Sequence, residues 1–363
     1  MNKNLKKLLL ILIVSRILLL FITFAAGYFF GEVNVINFLT KYGLRWDGNS
    51  YIKISEYGYF KYSTFIVFPP IYPLVIRPLG LLLNNFPLAG LIMSNIFFIL
   101  GSLIFYKLLL LDYSEKFSFY TVFLISIFPT SYFFSVAYPE SLFFLIFSAT
   151  FLLARTKRTK ISYAVSYFAP LTRPFGLSIY PSLFAGWISD KNKKFSNLLI
   201  LIFSGAAATA TYLLINFIVF KDPFAFQHIL QTTWQKSFAP PWTGIVASWK
   251  RGLFSPPSDY KILVGYAEAF ASTIAWIAVI LSLTVKKFRL RVDYLTYLVI
   301  GVILFTSTGF ILSAPRYLLS LPPFFIILAK LTESKIAKII WIPLSIITLI
   351  VLSVRWSQGL WTF

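Results

Sequence analysis

The chain contains a succession of apolar segments that are long enough, or nearly long enough, to cross a lipid bilayer. A helix needs about 20 consecutive apolar residues to cross the hydrocarbon core. The composition agrees with such a structure, because 58% of the 363 residues are hydrophobic, only 12% are charged, and the mean hydropathy is +0.79. The sequence therefore predicts an all-α, polytopic membrane protein. The apolar segments lie at roughly 8–30, 88–111, 118–136, 139–154, 196–220, 262–285, 294–313, 316–330 and 339–356.

Basic residues are concentrated in the linkers between these segments, and cytoplasmic linkers are enriched in Lys and Arg. All basic linkers share one side only if 161–188 forms a hairpin of short helices and 63–86, with its four prolines, lies in the interface. The prediction is then about eleven spans in one domain over 1–363, with the N-terminus cytoplasmic and the C-terminus outside. The basic linkers are Lys3, Lys6 and Lys7, 155–160, 190–194, 286–291, and Lys330, Lys335 and Lys338.

Charge and composition exclude several classes of function. The net charge of +21 would suggest a nucleic-acid partner in a soluble protein, but here anionic lipid headgroups account for it. The chain has no cysteine and a single histidine, which excludes disulfides, thiolate chemistry and a His-rich metal centre. There is no D-x-D motif and no phosphate-binding G-x-x-x-x-G-K-[ST] loop. We therefore expect no metal, no cofactor and no nucleic-acid partner.

The predicted topology places most of the remaining ionisable residues at the non-cytoplasmic face. A charged residue at the end of a span is costly unless it faces water or a partner, so the clustering predicts a site. The alternative is that these loop residues are simply polar. The segments on this face are the first external loop with its interfacial helices (31–87), the tips 135–141 and 171–176, the second long external loop (221–261), and 313–317.

The first external loop contains the segment RWDGNSYIKISEYGYF. Read as a helix, it carries Asp47 and Tyr51 on one face, four residues apart, directly after Trp46. A carboxylate at the lip of a membrane cavity could act as a general base toward an acceptor hydroxyl. Asp is also a common N-cap, and a helix beginning near Gly48 would use Asp47 in that way. The residues alone leave both readings open.

Two of the short turns on this face carry charged residues of opposite sign, Glu140 in AYPES and Arg173 in LTRPFG. Arg173 could bind a phosphate through its planar guanidinium, with Glu140 orienting it or holding a substrate hydroxyl. The alternative is a mutual ion pair that ties the tips together, and the two readings are compatible.

The second external loop and the segment after it carry further candidates. Asp222 and Pro223 predict a helix start, and the helix would present Gln227, His228 and Trp234 toward sugar hydroxyls and a pyranose face. An interfacial helix with its Trp among headgroups is the alternative. Arg316 begins a span at the outer face, where it would pair with the phosphate of a substrate or of an ordinary lipid.

Taken together, these motifs resemble the PIG-V-type mannosyltransferases, the family that includes GPI mannosyltransferase II. The similarity covers roughly residues 45–325. It departs from the eukaryotic members at the Arg173 tip, which reads RPFG here where they usually have R-S-N-G, and in its shorter length, which indicates a prokaryotic plasma-membrane relative. The motifs, in the family's order, are RWDGNSYIKISEYGYF, VFPPIYPLVIR, SVAYPESLFFL, LTRPFG, DPFAFQHILQTTW and APRYLLSLPPFF.

The resemblance implies a GT-C-like bundle of about eleven to thirteen transmembrane helices with an active site at the non-cytoplasmic face, and an inverting, metal-independent glycosyltransferase. Its donor would be a polyprenyl (dolichyl) phosphate sugar, with mannose as the expected hexose, and its acceptor a hydroxyl of a lipid, glycolipid or glycan. Asp47 would be the catalytic base and Arg173 and Arg316 would bind the donor phosphate. The remaining candidates, Trp46, Tyr51, Glu140, Gln227, His228 and Trp234, would bind sugar or acceptor. The rival hypothesis is a lipid-linked sugar flippase or transporter that uses the same polar vestibule.

Overall fold

A computed structural model describes residues 3–29, 31 and 34–363 of the chain. Phe30, Glu32 and Val33, at the predicted junction of the first span and the first external loop, lie outside the described residues. Within the described part, the regular elements are helices, and an isolated β-bridge pairs Phe238 with Thr308. The prediction of an all-α chain is therefore confirmed.

The chain divides into two compact units. Unit 1 comprises 1–176 and 332–362, and unit 2 comprises 177–331 with Phe363. The prediction of a single domain over 1–363 stays a prediction. The helices of unit 1 are α1 (Lys3–Phe29), α2 (Val35–Gly43), α3 (Asp47–Tyr57), α4 (Ile71–Leu83), α5 (Phe86–Leu109), α6 (Glu115–Ile127), α7 (Glu140–Arg155), α8 (Thr159–Ser166) and α17 (Lys335–Ser357).

Helix α5 forms the centre of unit 1, where it packs against α7 most extensively and also against α1, α2, α3, α4 and α6. Gly101 allows the close approach of α7, because a Cβ there would lie 3.0 Å from the Phe144 ring and 3.1 Å from the Leu145 backbone. Small residues at helix contacts serve the same purpose in membrane proteins generally. The buried rings of Phe98, Phe134 and Phe144 fill the space beside this contact.

A buried arginine inside α1 closes a break in the neighbouring chain. Helix α6 ends at Ile127, just before Pro129, and a 3₁₀ turn follows at Ser131–Phe134. The Arg16 guanidinium donates to the carbonyl of Ser131 at 2.9 Å and to that of Ser126, and it also lies over the Phe98 ring. A helix break inside a membrane protein requires partners for its free carbonyls, and Arg16 provides them.

Unit 2 is built on a 25-residue helical segment, Tyr260–Thr284, whose first part is a π-helix (Tyr260–Ala267). The preceding helix, Pro241–Phe254, buries a face made of Gly244, Ser248 and Gly252. A Cβ on Gly252 would lie 2.7 Å from the Tyr266 ring. The helices of unit 2 are α9 (Ile179–Ile188), α10 (Phe195–Phe220), α11 (Ala225–Trp234), α12 (Pro241–Phe254), α13 (Glu268–Thr284), α14 (Val292–Thr306), α15 (Ala314–Tyr317) and α16 (Pro322–Leu331).

Five of the described helices are long and apolar enough to cross a membrane, or six if the pair formed by 314–320 and 322–331, bent by 99°, counts as one span. This supports a multi-pass membrane protein. It does not confirm about eleven spans, because several apolar segments of the sequence form shorter helices. The five are Asn4–Phe29, Phe86–Leu109, Phe195–Phe220, Tyr260–Thr284 and Lys335–Ser357.

Two segments that the sequence analysis set apart from ordinary spans are indeed short helices. The proline-rich segment 63–86 contains α4, which at 13 residues is too short to cross the hydrocarbon core alone. Helices α8 and α9, of 8 and 10 residues, occupy most of 161–188, and the segment carrying Arg173 separates them.

Candidate functional site

The most distinctive backbone feature of unit 1 is the start of α3, where the WD motif lies. Asp47 is the first residue of the helix, and Trp46 before it has a left-handed backbone (φ 49°, ψ −125°) that is rare outside glycine. The structure thus places the N-cap at Trp46, without a capping bond from its side chain, and not at Asp47. The half-buried Asp47 carboxylate lies in the first turn, where the helix dipole stabilises a negative charge.

The turn into α3 is fixed by close packing against Tyr138, which belongs to the AYPES motif. The Tyr138 hydroxyl donates to the carbonyl of Arg45 at 3.2 Å. A Cβ on Gly48 would lie 2.7 Å from the Gly43 carbonyl oxygen and 3.0 Å from the Tyr138 ring. Only glycine fits this contact without a shift, so the backbone at Asp47 is held in one position.

Tyr51, predicted to bind sugar or acceptor, lies instead in the interior of unit 1. Its ring is buried and meets the rings of Phe68, Tyr72 and Tyr138 at centroid distances of 5.1, 5.5 and 6.3 Å. Trp46, in contrast, is 51% exposed and available to a ligand. Tyr51 therefore anchors α3 to the FPPIYP and AYPES motifs through its buried ring.

Glu140 and Arg173 form the ion pair that the sequence analysis considered. Glu140 is the first residue of α7, both side chains are buried, and the Arg173 guanidinium also lies 5.7 Å from the centroid of the Phe175 ring. The Arg173 segment is in turn joined to the FPPIYP motif, because the Ile71 N–H donates to the Leu171 carbonyl at 3.0 Å.

Unit 1 therefore gathers four of the motifs that the sequence analysis assigned to one membrane face. Tyr138 and Tyr51 connect the WD motif to the AYPES and FPPIYP motifs, and the Ile71–Leu171 bond adds the LTRPFG motif. The result is a half-exposed carboxylate and an exposed indole on a rigid turn that contacts Tyr138. Two residues beyond Tyr138 lies Glu140, which forms the buried ion pair with Arg173.

The other predicted residues belong to unit 2. Gln227, His228 and Trp234 are exposed on α11, while Ala225 and Ile229 bury its opposite side. Seven residues apart, Gln227 and Trp234 share a face, and His228 is turned from them by about 100°. This is the arrangement expected if α11 offers amide, imidazole and indole groups to a ligand, and it equally suits an interfacial helix.

The start of α11 differs from the prediction that Asp222 is its N-cap. The helix begins at Ala225 after Phe224, and the Asp222 carboxylate instead accepts from the Phe224 N–H at 2.9 Å, which forms a local turn.

Arg316 lies on the short helix α15 and is buried, with its guanidinium 5.5 Å from the centroid of the Tyr317 ring. A residue that the sequence analysis missed holds this helix in place. Glu268 is fully buried, and its two carboxylate oxygens accept from the N–H groups of Ser313 and Ala314, both at 2.6 Å. A lone carboxylate within a 25-residue apolar segment was the signal that could have identified it.

The described residues contain no group of three or more His, Asp or Glu side chains that could hold a metal ion. No protein-family model matches the chain, and a comparison with curated proteins finds no significant match. The resemblance to PIG-V-type mannosyltransferases thus stays a prediction from the order of the motifs, and function is argued from the residues themselves.

Proposed function

We propose that this chain is an inverting membrane glycosyltransferase with Asp47 as its general base. The donor is a polyprenyl phosphate hexose, with mannose expected, and the acceptor is a hydroxyl of a lipid, glycolipid or glycan at the non-cytoplasmic face of a prokaryotic plasma membrane. The observation that carries the proposal is the rigid, half-exposed position of the Asp47 carboxylate at the start of α3, beside the exposed Trp46.

The proposed reaction is a single displacement. Asp47 takes the proton of the acceptor hydroxyl while the oxygen attacks the anomeric carbon from the face opposite the phosphate. The bond between that carbon and the phosphate oxygen breaks, and the phosphate leaves with the electron pair, so the configuration inverts. A base whose backbone is fixed needs little reorganisation before it accepts the proton.

The other candidates have supporting roles in this proposal. In unit 1, Trp46 offers an exposed indole face on which a pyranose can pack, and Glu140 holds the guanidinium of Arg173, the candidate for the donor phosphate. The candidates of unit 2 are proposed separately, with Gln227, His228 and Trp234 as exposed groups of α11 that can contact sugar and Arg316 as a phosphate ligand.

Asp47→Asn tests the proposal in a sugar-transfer assay. Purified protein receives radiolabelled dolichyl phosphate mannose and a total membrane-lipid extract with EDTA present. We expect transfer by the parent to fall by a factor of about 10² or more in Asp47→Asn, the range for loss of a general base. Glu56→Gln, which alters another half-exposed carboxylate of the same helix, is the matched control and should keep parental activity. Equal transfer by Asp47→Asn and the parent would remove Asp47 from the mechanism.

A lipid-linked sugar flippase is the second candidate, and Arg16 is the observation that favours it. Transporters use polar groups and broken helices at membrane depth, and Arg16 lies buried within α1 against the break after α6. Proteoliposomes containing a fluorescent polyprenyl phosphate sugar separate the candidates. Faster loss of fluorescence to an external quencher than in protein-free vesicles, with no sugar transfer in the first assay, would favour the flippase.

A further inference from the structure

The short connection between α2 and α3, residues 44–46, is held by contacts from a distant part of unit 1. We call this connection the α2–α3 corner. Within it, Trp46 has a left-handed backbone (φ 49°), which a residue other than glycine keeps only where its surroundings impose it. The Tyr138 hydroxyl provides one such contact, at the Arg45 carbonyl. The other contacts come from the C-terminal end of α17, some 310 residues away in the sequence.

The last turns of α17 bond to the chain just before the corner. The hydroxyl groups of Tyr42 and Ser353 share a hydrogen bond of 2.7 Å, and the Trp356 indole N–H donates to the Tyr42 carbonyl at 2.9 Å. The Trp356 ring is fully buried, with its centroid 5.5 Å from that of the Tyr138 ring. Trp356 therefore contacts both the end of α2 and the tyrosine that bonds to the corner.

Arg45, inside the corner, bonds to the end of α17 directly. Its Nη2 donates to the carbonyl of Ser357, the last residue of the helix, at 2.8 Å. The last carbonyls of a helix have no acceptor role within the helix and carry the negative end of its dipole. A guanidinium group satisfies both the hydrogen bond and the charge. This bond joins α17 to a residue only two positions before Asp47.

The way in which α17 ends leaves room for this guanidinium group. Gly359 has a left-handed backbone (φ 80°), and the N–H groups of Gly359 and Leu360 bond to the carbonyls of Trp356 and Arg355 at 2.9 and 3.0 Å. This is the usual glycine ending of a helix. A Cβ on Gly359 would lie 2.9 Å from Nη1 of Arg45, so a side chain here would displace the guanidinium.

We propose that the C-terminal end of α17 fixes the α2–α3 corner, and that Arg45 is thereby a positioning residue for the Asp47 carboxylate. The first part is independent of any activity, and the second rests on the proposed function. Arg45 acts through the backbone that carries Asp47 and not on the substrate. Its loss should therefore lower kcat and leave KM unchanged, because a misplaced base weakens the transition state and not the binding of substrate.

The first test measures the corner without any sugar transfer. A spin label on Asn49→Cys, in the first turn of α3, reports local mobility by electron paramagnetic resonance, since the parent has no cysteine. We expect Arg45→Gln to raise this mobility. Arg77→Gln is the matched control, because the Arg77 guanidinium donates to the carbonyls of Ser55 and Glu56, at 2.6 and 3.2 Å, near the opposite end of α3. It should leave the label unchanged. Unchanged mobility in Arg45→Gln would overturn the proposal.

The second test uses the sugar-transfer assay and variants without the label. We expect Arg45→Gln to lower kcat by up to about 10²-fold at unchanged KM, as for misplacement of a catalytic group by about 1 Å. Arg45→Lys should restore part of the loss, because an ammonium group can still donate to the Ser357 carbonyl. Arg77→Gln should keep the parental kcat even if it unfolds at a lower temperature. An equal loss of kcat in Arg77→Gln and Arg45→Gln would indicate a general loss of structure and contradict a positioning role.

The two tests separate this inference from the proposed function. Raised mobility in Arg45→Gln, with a parent that transfers no sugar, would support the contact with α17 while contradicting the glycosyltransferase and with it the role of Arg45 toward Asp47. Raised mobility with parental kcat would overturn the positioning role alone. If Arg45→Gln does not fold, Gly359→Ala takes its place, since its Cβ would displace the guanidinium from the opposite side.

Discussion

Glu140 and Arg173 form an ion pair in the interior of unit 1. Both are buried, and each is the partner that makes burial of the other tolerable. Removing one partner leaves an uncompensated charge in a dehydrated environment, whereas removing both leaves none. The pair therefore predicts a specific pattern of stability among variants at these positions.

We expect Glu140→Gln to destabilise the protein by about 3–5 kcal/mol, the cost of breaking a buried ion pair. The double variant Glu140→Gln/Arg173→Gln should be more stable than Glu140→Gln alone. Thermal unfolding of the purified variants in detergent measures both. Additive losses, with the double variant the least stable of the set, would mean that the two charges do not depend on each other.

At the level of single residues, part of the site could be predicted from the sequence. Opposite charges on neighbouring tips pointed to the Glu140–Arg173 pair, because the membrane topology limits where each can lie. Glu268 was not predicted, because its partners are backbone N–H groups some 45 residues away, and only tertiary packing brings them together. Helical spacing placed Tyr51 on the face of Asp47, but spacing does not distinguish the inner face of a helix from its outer face, and the Tyr51 ring is buried.

At the scale of elements, the entry into α3 depends on the absence of a side chain at Gly48. We expect Gly48→Ala to displace the start of α3, since its Cβ would lie 2.7 Å from a backbone oxygen that cannot move aside. Overpacking of this kind costs about 1–3 kcal/mol. Sugar transfer should fall as well, because the displaced backbone carries Asp47.

Gly186→Ala is the control for this prediction. Its Cβ would lie 3.6 Å from the Asp293 Cβ, an ordinary contact, and alanine favours a helix by about 1 kcal/mol over glycine. Gly186→Ala should therefore unfold at the same temperature as the parent or higher. Should Gly48→Ala behave like Gly186→Ala in unfolding and in transfer, the close contact would have no role in placing Asp47.

The lengths of the helices were harder to predict than their existence. Hydropathy locates an apolar segment, but it does not show where tertiary contacts let a helix stop inside it. The segment 118–136 is the clearest case, because α6 ends at Ile127 and the side chain of Arg16, more than 100 residues away, bonds to the released carbonyls. Local sequence predicts a span there, and a long-range contact allows a break.

For the whole molecule, the orientation in the membrane decides whether the candidate residues can meet an extracytoplasmic donor. Helix α10 is the best element for testing it. Its 26 residues cover about 39 Å at 1.5 Å per residue, which exceeds the hydrocarbon thickness. The basic linker 190–194 precedes the helix and α11 follows it, so the two flanks should lie on opposite sides.

The chain has no cysteine, so a single introduced cysteine reports its own position. We expect Thr233→Cys, exposed on α11, to react with a membrane-impermeant maleimide on intact cells. Lys191→Cys, exposed in the basic linker, should react only after the membrane is permeabilised, because cytoplasmic linkers carry the excess of Lys and Arg. The cysteine-free parent is the background control. The reverse pattern would place α11 in the cytoplasm and contradict an extracytoplasmic role for Gln227, His228 and Trp234. Labelling of both cysteine variants in intact cells would show that α10 does not cross the membrane.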